Sequence, residues 1–448
     1  MKKMKKIYMH SLGCSKNLVD SEHMIGILKK KGFETTDYAD KADYIIINTC
    51  SFISDAQQES VDAILSAAEI KNDVNRDAKI IVTGCLAQRF GDELAKEIPE
   101  VDIIVGTSGF EKIDEYIEKY ESNKQLIVET NIQDLDEENL PRNTLTENWY
   151  AYLKIAEGCS NNCTYCVIPK LRGPYKSRKI EKIVEDASSL AAQGAKEIII
   201  IAQDTSKYGI DLYGERKLHE VIQKVSEIEG IEWIRIHYLY PEDFYDELIN
   251  EFKHNDKLLK YFDIPLQHIN DRILKRMHRN TNRKQIIDLI NKIRNEVDGA
   301  VIRTSLITGF PGETLEEHEE LLMFLQEYKL DRVGIFKYSR EEDTPAYKLP
   351  EQIDEEVKEQ RHNELMELQL GISYDNNQAK IGNVYDVLIE EKDVENIWVG
   401  RTYMDSIDID GVVYVTSDKD LELGSIYKVK INDALEYDLM GDELDELV

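Results

Sequence analysis

No apolar run in the sequence approaches the ~18 residues that a membrane span requires, so no membrane-spanning helix is expected. The basic start MKKMKK is followed by IYMHSLGC rather than by the apolar core of a signal peptide, which points to a cytoplasmic protein. There is no repeat of solenoid length and no low-complexity tract. Positive charge is short, with 56 Lys and Arg against 87 Asp and Glu and a net charge of -31. Sequence-independent capture of nucleic acid rests on Lys and Arg, so this balance argues against it and favours a protein partner. Cysteine is sparse as well, six in 448 residues. In a large cytosolic chain that supply speaks for metal or redox use rather than for disulfides.

A chain of this length suggests about three domains. The first segment alternates strand-like runs, KIYMHSLGC, DYIIINTC, KIIVTGC and VDIIVGTSG, with amphipathic intervals such as SEHMIGILKKKGF. That rhythm predicts a parallel α/β domain over residues 1–130. The acidic stretch Asp134 to Glu138 and Pro141 mark a linker over 131–150. From 151 to 375 a second series follows, with YLKIAEG, EIIIIAQD, WIRIHYL, YFDIPLQ, VIRTSLITG and RVGIFKYS as strands. Six such units predict a partial (βα)6 barrel with its chemistry in the loops after the strands. A charged helical stretch, Glu351 to Leu370, leads into short alternating strands that predict a small β-barrel over 376–448.

The first barrel loop holds Cys159, Cys163 and Cys166, opened by Gly158 and bounded by Pro169. Three thiolates spaced X3 and X2 can each meet one iron of a cubane and leave the fourth iron without a protein ligand. That iron can chelate S-adenosylmethionine, and an electron from the cluster can then break the sulfonium bond. A zinc site would pair its cysteines as two C-X2-C units, and a ferredoxin-like run would place a fourth cysteine nearby. Tyr165, immediately before Cys166, is placed to shield the cluster or the adenine.

Cys14, Cys50 and Cys85 each follow a strand of the first domain. Strand carboxyl ends share one edge of a parallel sheet, so these thiols should converge. Buried core thiols are the plainer alternative. Around the barrel mouth, Gly309, Pro311, Gly312 and Glu313 form a turn that can bring backbone close to the cosubstrate. Gln203 and Asp204 end the second barrel strand, and Gln267 and His268 end the fourth; these positions suit ribose, carboxylate or substrate contacts and equally suit satisfied loop residues. Arg172 and Arg178 follow the cysteine loop, where they would meet a carboxylate or phosphate or make structural pairs.

The segment GCSNNCTYCVIPKLRGPYKSR resembles the radical S-adenosylmethionine superfamily and, within it, the methylthiotransferases. The likeness extends along the chain through SLGCSKNLVDSE, INTCSF, TGCLAQR, TGFPGET and a terminal barrel similar to a TRAM domain. It implies a second 4Fe-4S cluster on Cys14, Cys50 and Cys85 beside the one on Cys159, Cys163 and Cys166, so that two 4Fe-4S clusters and S-adenosylmethionine are the cofactors. It implies, further, a reaction that inserts sulfur and a methyl group at an unactivated C–H bond, with S-adenosylmethionine as methyl donor and radical source. Gln203, Gly309, Gly312 and Tyr165 are then the expected cofactor contacts. An electron donor such as flavodoxin or ferredoxin is implied as a partner.

Two substrates belong to this family: the β-carbon of an aspartate in ribosomal protein S-twelve, and an adenosine beside the anticodon of transfer RNA. The SKN after Cys14 resembles the ribosomal-protein branch, and PKLRG after Cys166 departs from the PYTRG of the isopentenyladenosine branch. Charge agrees. Residues 376–448 carry 18 Asp and Glu against 6 Lys and Arg. An RNA-gripping barrel should be basic, whereas an acidic one steers a basic ribosomal protein. Ribosomal protein S-twelve, or the small ribosomal subunit, is therefore the expected partner, and transfer RNA the lesser one. Asp405, Asp408 and Asp410 are expected to belong to the docking surface, while Trp398 and Tyr403 would be either a base-stacking platform or core.

Overall fold

The computed structural model describes residues 4–132 and 140–444. The linker's acidic stretch, Asp134 to Glu138, lies outside the described residues. The first domain is a six-stranded parallel sheet of β1 (Lys6–Ser11), β2 (Glu34–Thr35), β3 (Tyr44–Thr49), β4 (Lys79–Gly84), β5 (Val101–Val105) and β6 (Ile127–Glu129). Its spatial order is β2-β1-β3-β4-β5-β6. Every residue of β3 and β5 is buried. Continuous apolar runs such as YIII are what a parallel sheet covered on both faces requires. On one face lie α1 (Ser15–Lys30) and α4 (Ile113–Asn123), and on the other α2 (Ser54–Glu69) and α3 (Cys85–Glu97). The short edge strands β2 and β6 escape a reading by periodicity, since two or three residues carry no pattern.

The second domain contributes β7 (Tyr150–Lys154), then a two-stranded ribbon of β8 (Ala156–Glu157) and β9 (Lys176–Ser177) that frames the cysteine loop. Strands β10 (Glu197–Ile201), β11 (Trp233–Ile236), β12 (Tyr261–Asp263), β13 (Val301–Thr308) and β14 (Arg332–Lys337) follow. Apart from the antiparallel ribbon the pairings are parallel, in two runs, β7-β10-β11 and β12-β13-β14, joined through a bridge between Ile234 and Leu258. This is the open six-stranded barrel expected from six βα units. Helices α5 (Ile168–Arg172) and α6 (Ile180–Ala192) follow β7, and Ile183, Leu190, Ile198 and Ile200 join one continuous core outside the strands.

Strands β15 (Val384–Val394), β16 (Ile397–Arg401), β17 (Val413–Thr416), β18 (Ile426–Ala434) and β19 (Leu439–Glu443) close into a barrel in the order β15-β16-β17-β19-β18. Trp398 is buried in its core, and the Tyr403 hydroxyl donates to Gly299 O at 2.9 Å, so neither forms an exposed stacking platform. The expectation for the acidic triplet needs correction. Asp405 is buried and paired with Arg332 at 2.6 Å, and Asp410 accepts from the Tyr261 hydroxyl at 2.6 Å; only Asp408 is exposed. Their charges are spent inside the molecule, against the inward faces of barrel strands. Glu197 completes this junction, accepting from Arg235 and Arg401 at 2.7 Å each. Among the described residues, no helix is long and apolar enough to cross a membrane.

Candidate active site

The first thiol set sits where the strand ends put it. Cys14 caps α1, Cys50 directly follows β3, and Cys85 opens α3 directly after β4. Glycine permits the approach. Gly13 has φ +84°, and a Cβ there would stand 2.7 Å from the Cβ and 2.8 Å from the Sγ of Cys50. Gly84, at φ +91°, has Thr49 O only 2.5 Å from where its Cβ would be. The Asn17 amide, one turn into α1, donates to Leu12 O at 3.0 Å and Thr49 O at 2.9 Å, tying the Cys14 loop to the Cys50 loop. Its Oδ1 stands 3.9 Å from Cys85 Sγ. Cys50 and Cys85 are buried and Cys14 is exposed.

The second set lies on the loop between β8 and α5. Gly158, at φ +74°, lets the chain pass so close that a Cβ would meet Pro174 O at 2.2 Å. The loop is held by Cys159 N to Gly173 O (3.1 Å), Thr164 N to Met277 O (3.0 Å) and Ala346 N to Thr164 O (2.8 Å). Asn161 donates to Asp204 at 2.8 Å. Tyr165 packs with Phe310, Tyr338 and Met277, which joins the cysteine loop to the glycine turn. Arg279, buried and stacked 4.3 Å over the Tyr240 ring, directs its guanidinium to Cys163 Sγ at 3.9 Å.

Burial pushes the thiol of Cys85 up to about 12 and that of Cys159 up to about 11, and raises Cys50 and Cys166 as well. Neighbouring thiolates add to the rise: Cys14 and Cys50 act on Cys85, and Cys163 and Cys159 on Cys166. These four thiols give up their protons most readily to a cation that takes the proton's place, which is what cluster iron does. Cys14 differs: desolvation raises its thiol, but Lys16 and Arg172 help to draw it below its ordinary value. Among the described residues no three His, Cys, Asp or Glu side chains close around a single metal ion. A cubane asks for something wider, one thiolate for each of three irons, and two triads of soft donors suit it, four of the six thiols being buried, Cys166 half-buried and Cys14 exposed.

The two sites face each other. Cys85 packs against Val167 and Leu171, the residues just beyond Cys166. Between them lies a buried charge network. Arg172 donates to Asn17 Oδ1 at 2.5 Å, Asp20 at 3.0 Å and Glu157 at 3.0 Å, and Lys154 pairs with Asp20 at 2.6 Å and Glu157 at 3.0 Å. Burial would raise the Glu157 carboxyl, but Arg172 and Lys154 outweigh it and hold the group well below the usual carboxylate range. Arg172 is thus a structural bridge rather than an open anion receptor. Arg178 likewise is spent on Lys154 O at 2.7 Å and Asp186 at 2.6 Å.

The remaining mouth residues divide. Gln203 donates to Glu157 at 2.7 Å, while its own Oε1 is buried without a hydrogen-bond partner among the described residues, an acceptor left open at the mouth. Gly309 and Gly312 have φ of +72° and +80°, and a Cβ on them would meet Lys358 Cγ at 2.4 Å and Glu351 Oε2 at 2.7 Å. These glycines therefore seat the turn against the flank of the barrel. His268 is fully buried 3.9 Å from Glu313, and burial lowers its imidazole to about 3, so it is neutral packing beneath the turn. Asn17, Glu157 and Arg279 escaped the sequence reading. The first two lie within three residues of a cysteine; nothing in the local sequence marks Arg279.

A family model described as an uncharacterized protein family, UPF0004, matches residues 6–106, the radical SAM superfamily matches 153–325 and the TRAM domain matches 381–443. The ribosomal protein uS12 methylthiotransferase RimO of Clostridioides difficile is 51% identical over 444 residues, 99% of this chain and 100% of that protein. The protein of the same description from Clostridium botulinum is 51% identical over 98% of both chains. Among solved structures, the radical S-adenosylmethionine methyltransferase TsrM of Kitasatospora setae superposes with a TM-score of 0.55 at 14% identity, covering 77% of each chain, a likeness of fold. The full-length identity and the paired cysteine sites lead to one assignment: the chain belongs to the family of ribosomal protein uS12 methylthiotransferases.

Proposed function

We infer that this protein methylthiolates the β-carbon of an aspartate in ribosomal protein uS12. The observation that carries the reading is the meeting of two cysteine triads across one buried contact, Cys85 against Val167 beside Cys166, in a chain alike end to end with enzymes named for that activity. When bound at these triads, 4Fe-4S clusters would supply reductive cleavage of S-adenosylmethionine at Cys159, Cys163 and Cys166 and sulfur carriage at Cys14, Cys50 and Cys85.

The chain's own contribution is enclosure and orientation. Tyr165, Phe310 and Tyr338 keep water from the cysteine loop. The open Oε1 of Gln203 offers a hydrogen-bond acceptor to a cosubstrate, with its amide fixed by Glu157. In this reading residues 1–130 carry sulfur, 151–375 generate the radical and 376–448 hold the substrate, with flavodoxin or ferredoxin as electron donor. The terminal barrel lends nothing to the adenosine reading, because Trp398 is core.

The test is the mass of uS12 from cells with and without the gene. Addition of one methylthio group to an aspartate-containing peptide, present only with the gene, is the expected result. An unmodified uS12 together with methylthiolated transfer RNA would move the reading to the adenosine substrate.

A further inference from the structure

Asn17 is the meeting point of the three cysteine-bearing strand-end loops of the first domain. Its amide binds the carbonyls preceding Cys14 and Cys50, its Oδ1 faces Cys85, and the Asn48 amide donates to its backbone carbonyl at 2.7 Å. Among the described residues the one further strong donor on that Oδ1 comes from the other domain, from Arg172 on α5, the helix that follows Cys166. The same guanidinium reaches Glu157, whose second oxygen accepts from Gly158 N at 3.0 Å, one residue before Cys159. A single planar fork therefore runs from the hub of one triad to the entrance of the other.

We propose that Asn17 and Arg172 are a positioning pair that fixes the register of the auxiliary triad against the barrel triad, and that product formation depends on this register. The proposal rests on the function inferred above. Its physical basis is the poor return of buried ion pairs as glue: desolvation offsets most of their attraction, while their geometry is strict. Two cations, Lys154 and Arg172, meet two anions, Asp20 and Glu157, with all four side chains at most 13% exposed. Such a quartet tolerates one arrangement of the domains and penalises sliding. Lysine cannot replace arginine here, since an ammonium lacks the fork that spans Asn17 and Glu157 together.

Arg172→Lys retains the charge and tests the fork alone. The reconstituted variant is expected to hold the iron content of the unmodified enzyme and to form 5′-deoxyadenosine from S-adenosylmethionine and dithionite at a similar rate. Methylthiolated uS12 should fall about 10- to 100-fold, in the range seen when groups that orient metal ligands are changed. The magnetic interaction between the two reduced clusters, read from electron paramagnetic relaxation, should change as well. That readout needs no ribosomal protein, so it tests the pair even if the unmodified enzyme makes no methylthio product, a result that would count against the proposed function instead. Asn17→Ala is the second variant, expected to lose the iron of the first domain and keep that of the barrel. An Arg172→Lys enzyme with unchanged product and unchanged cluster interaction overturns the proposal. So does one that loses iron, cleavage and product in parallel, which would make Arg172 a folding residue only.

Discussion

At the scale of single residues, the spacing of side chains around the thiols decides how many clusters the chain can hold. Two triads predict about eight irons per chain after anaerobic reconstitution, and Cys159, Cys163 and Cys166 changed together to Ala should leave about four. The same arithmetic applies to a residue with no ligand atom. Gly13→Ala places a methyl group 2.8 Å from Cys50 Sγ at a φ of +84°, so both space and backbone oppose it. Iron analysis of this variant should show the auxiliary site lost and the barrel site kept; eight irons would mean that the Cys14 loop yields. Conversely, Cys14, Cys50 and Cys85 changed together to Ala should form 5′-deoxyadenosine without methylthiolated product.

Among the elements, the junction between β10 and the terminal barrel carries the clearest pH dependence. Burial would raise the Glu197 carboxyl, but Arg401 and Arg235 outweigh it and bring it to about 2. In the unfolded chain the same group titrates at about 4.3. A carboxyl lowered in the fold adds stability that is fully present above the unfolded value and is lost as pH falls towards the folded one. Chemical unfolding of the protein at pH 5 and pH 3 should show a steeper loss of stability than in Glu197→Gln, which has no proton to take up. Equal slopes would show that the pairs with Arg235 and Arg401 do not stabilise the docked barrel.

On the scale of the whole molecule, the acidity that argued for a basic partner is not where the aspartates at 405 and 410 first placed it. Exposed acids instead gather at the hairpin between β15 and β16, in Asp393 and Glu395, and at Asp418, whose neighbour Ser417 donates its N–H to Asn396 O at 3.1 Å. None of the three forms an ion pair among the described residues. Their joint change to Lys should raise KM for uS12 several-fold through slower association, with a weaker salt dependence than the parent enzyme, and leave uncoupled cleavage of S-adenosylmethionine intact. An unchanged KM would place substrate docking on another surface.

Much of this was legible from residue order alone. Runs such as EIIII and YIIINT, buried on both faces, read as parallel strands, six strand-like runs separated by helix-length intervals over 151–375 led to an open barrel, and the X3 and X2 spacing to a three-thiolate loop. Strand-end placement even brought Cys14, Cys50 and Cys85 to one edge, because a parallel sheet leaves its carboxyl ends no other place. What tertiary structure alone decided are relations between residues far apart in the chain, two of the following three across domains. That Arg172 answers Asn17, that Asp405 is neutralised by Arg332, and that Arg279 lies beside Cys163 depend on residues 73 to 155 positions apart. No local periodicity encodes such pairs, since the free energy that selects them, desolvation of charge against its partner, exists only once the distant segments have met.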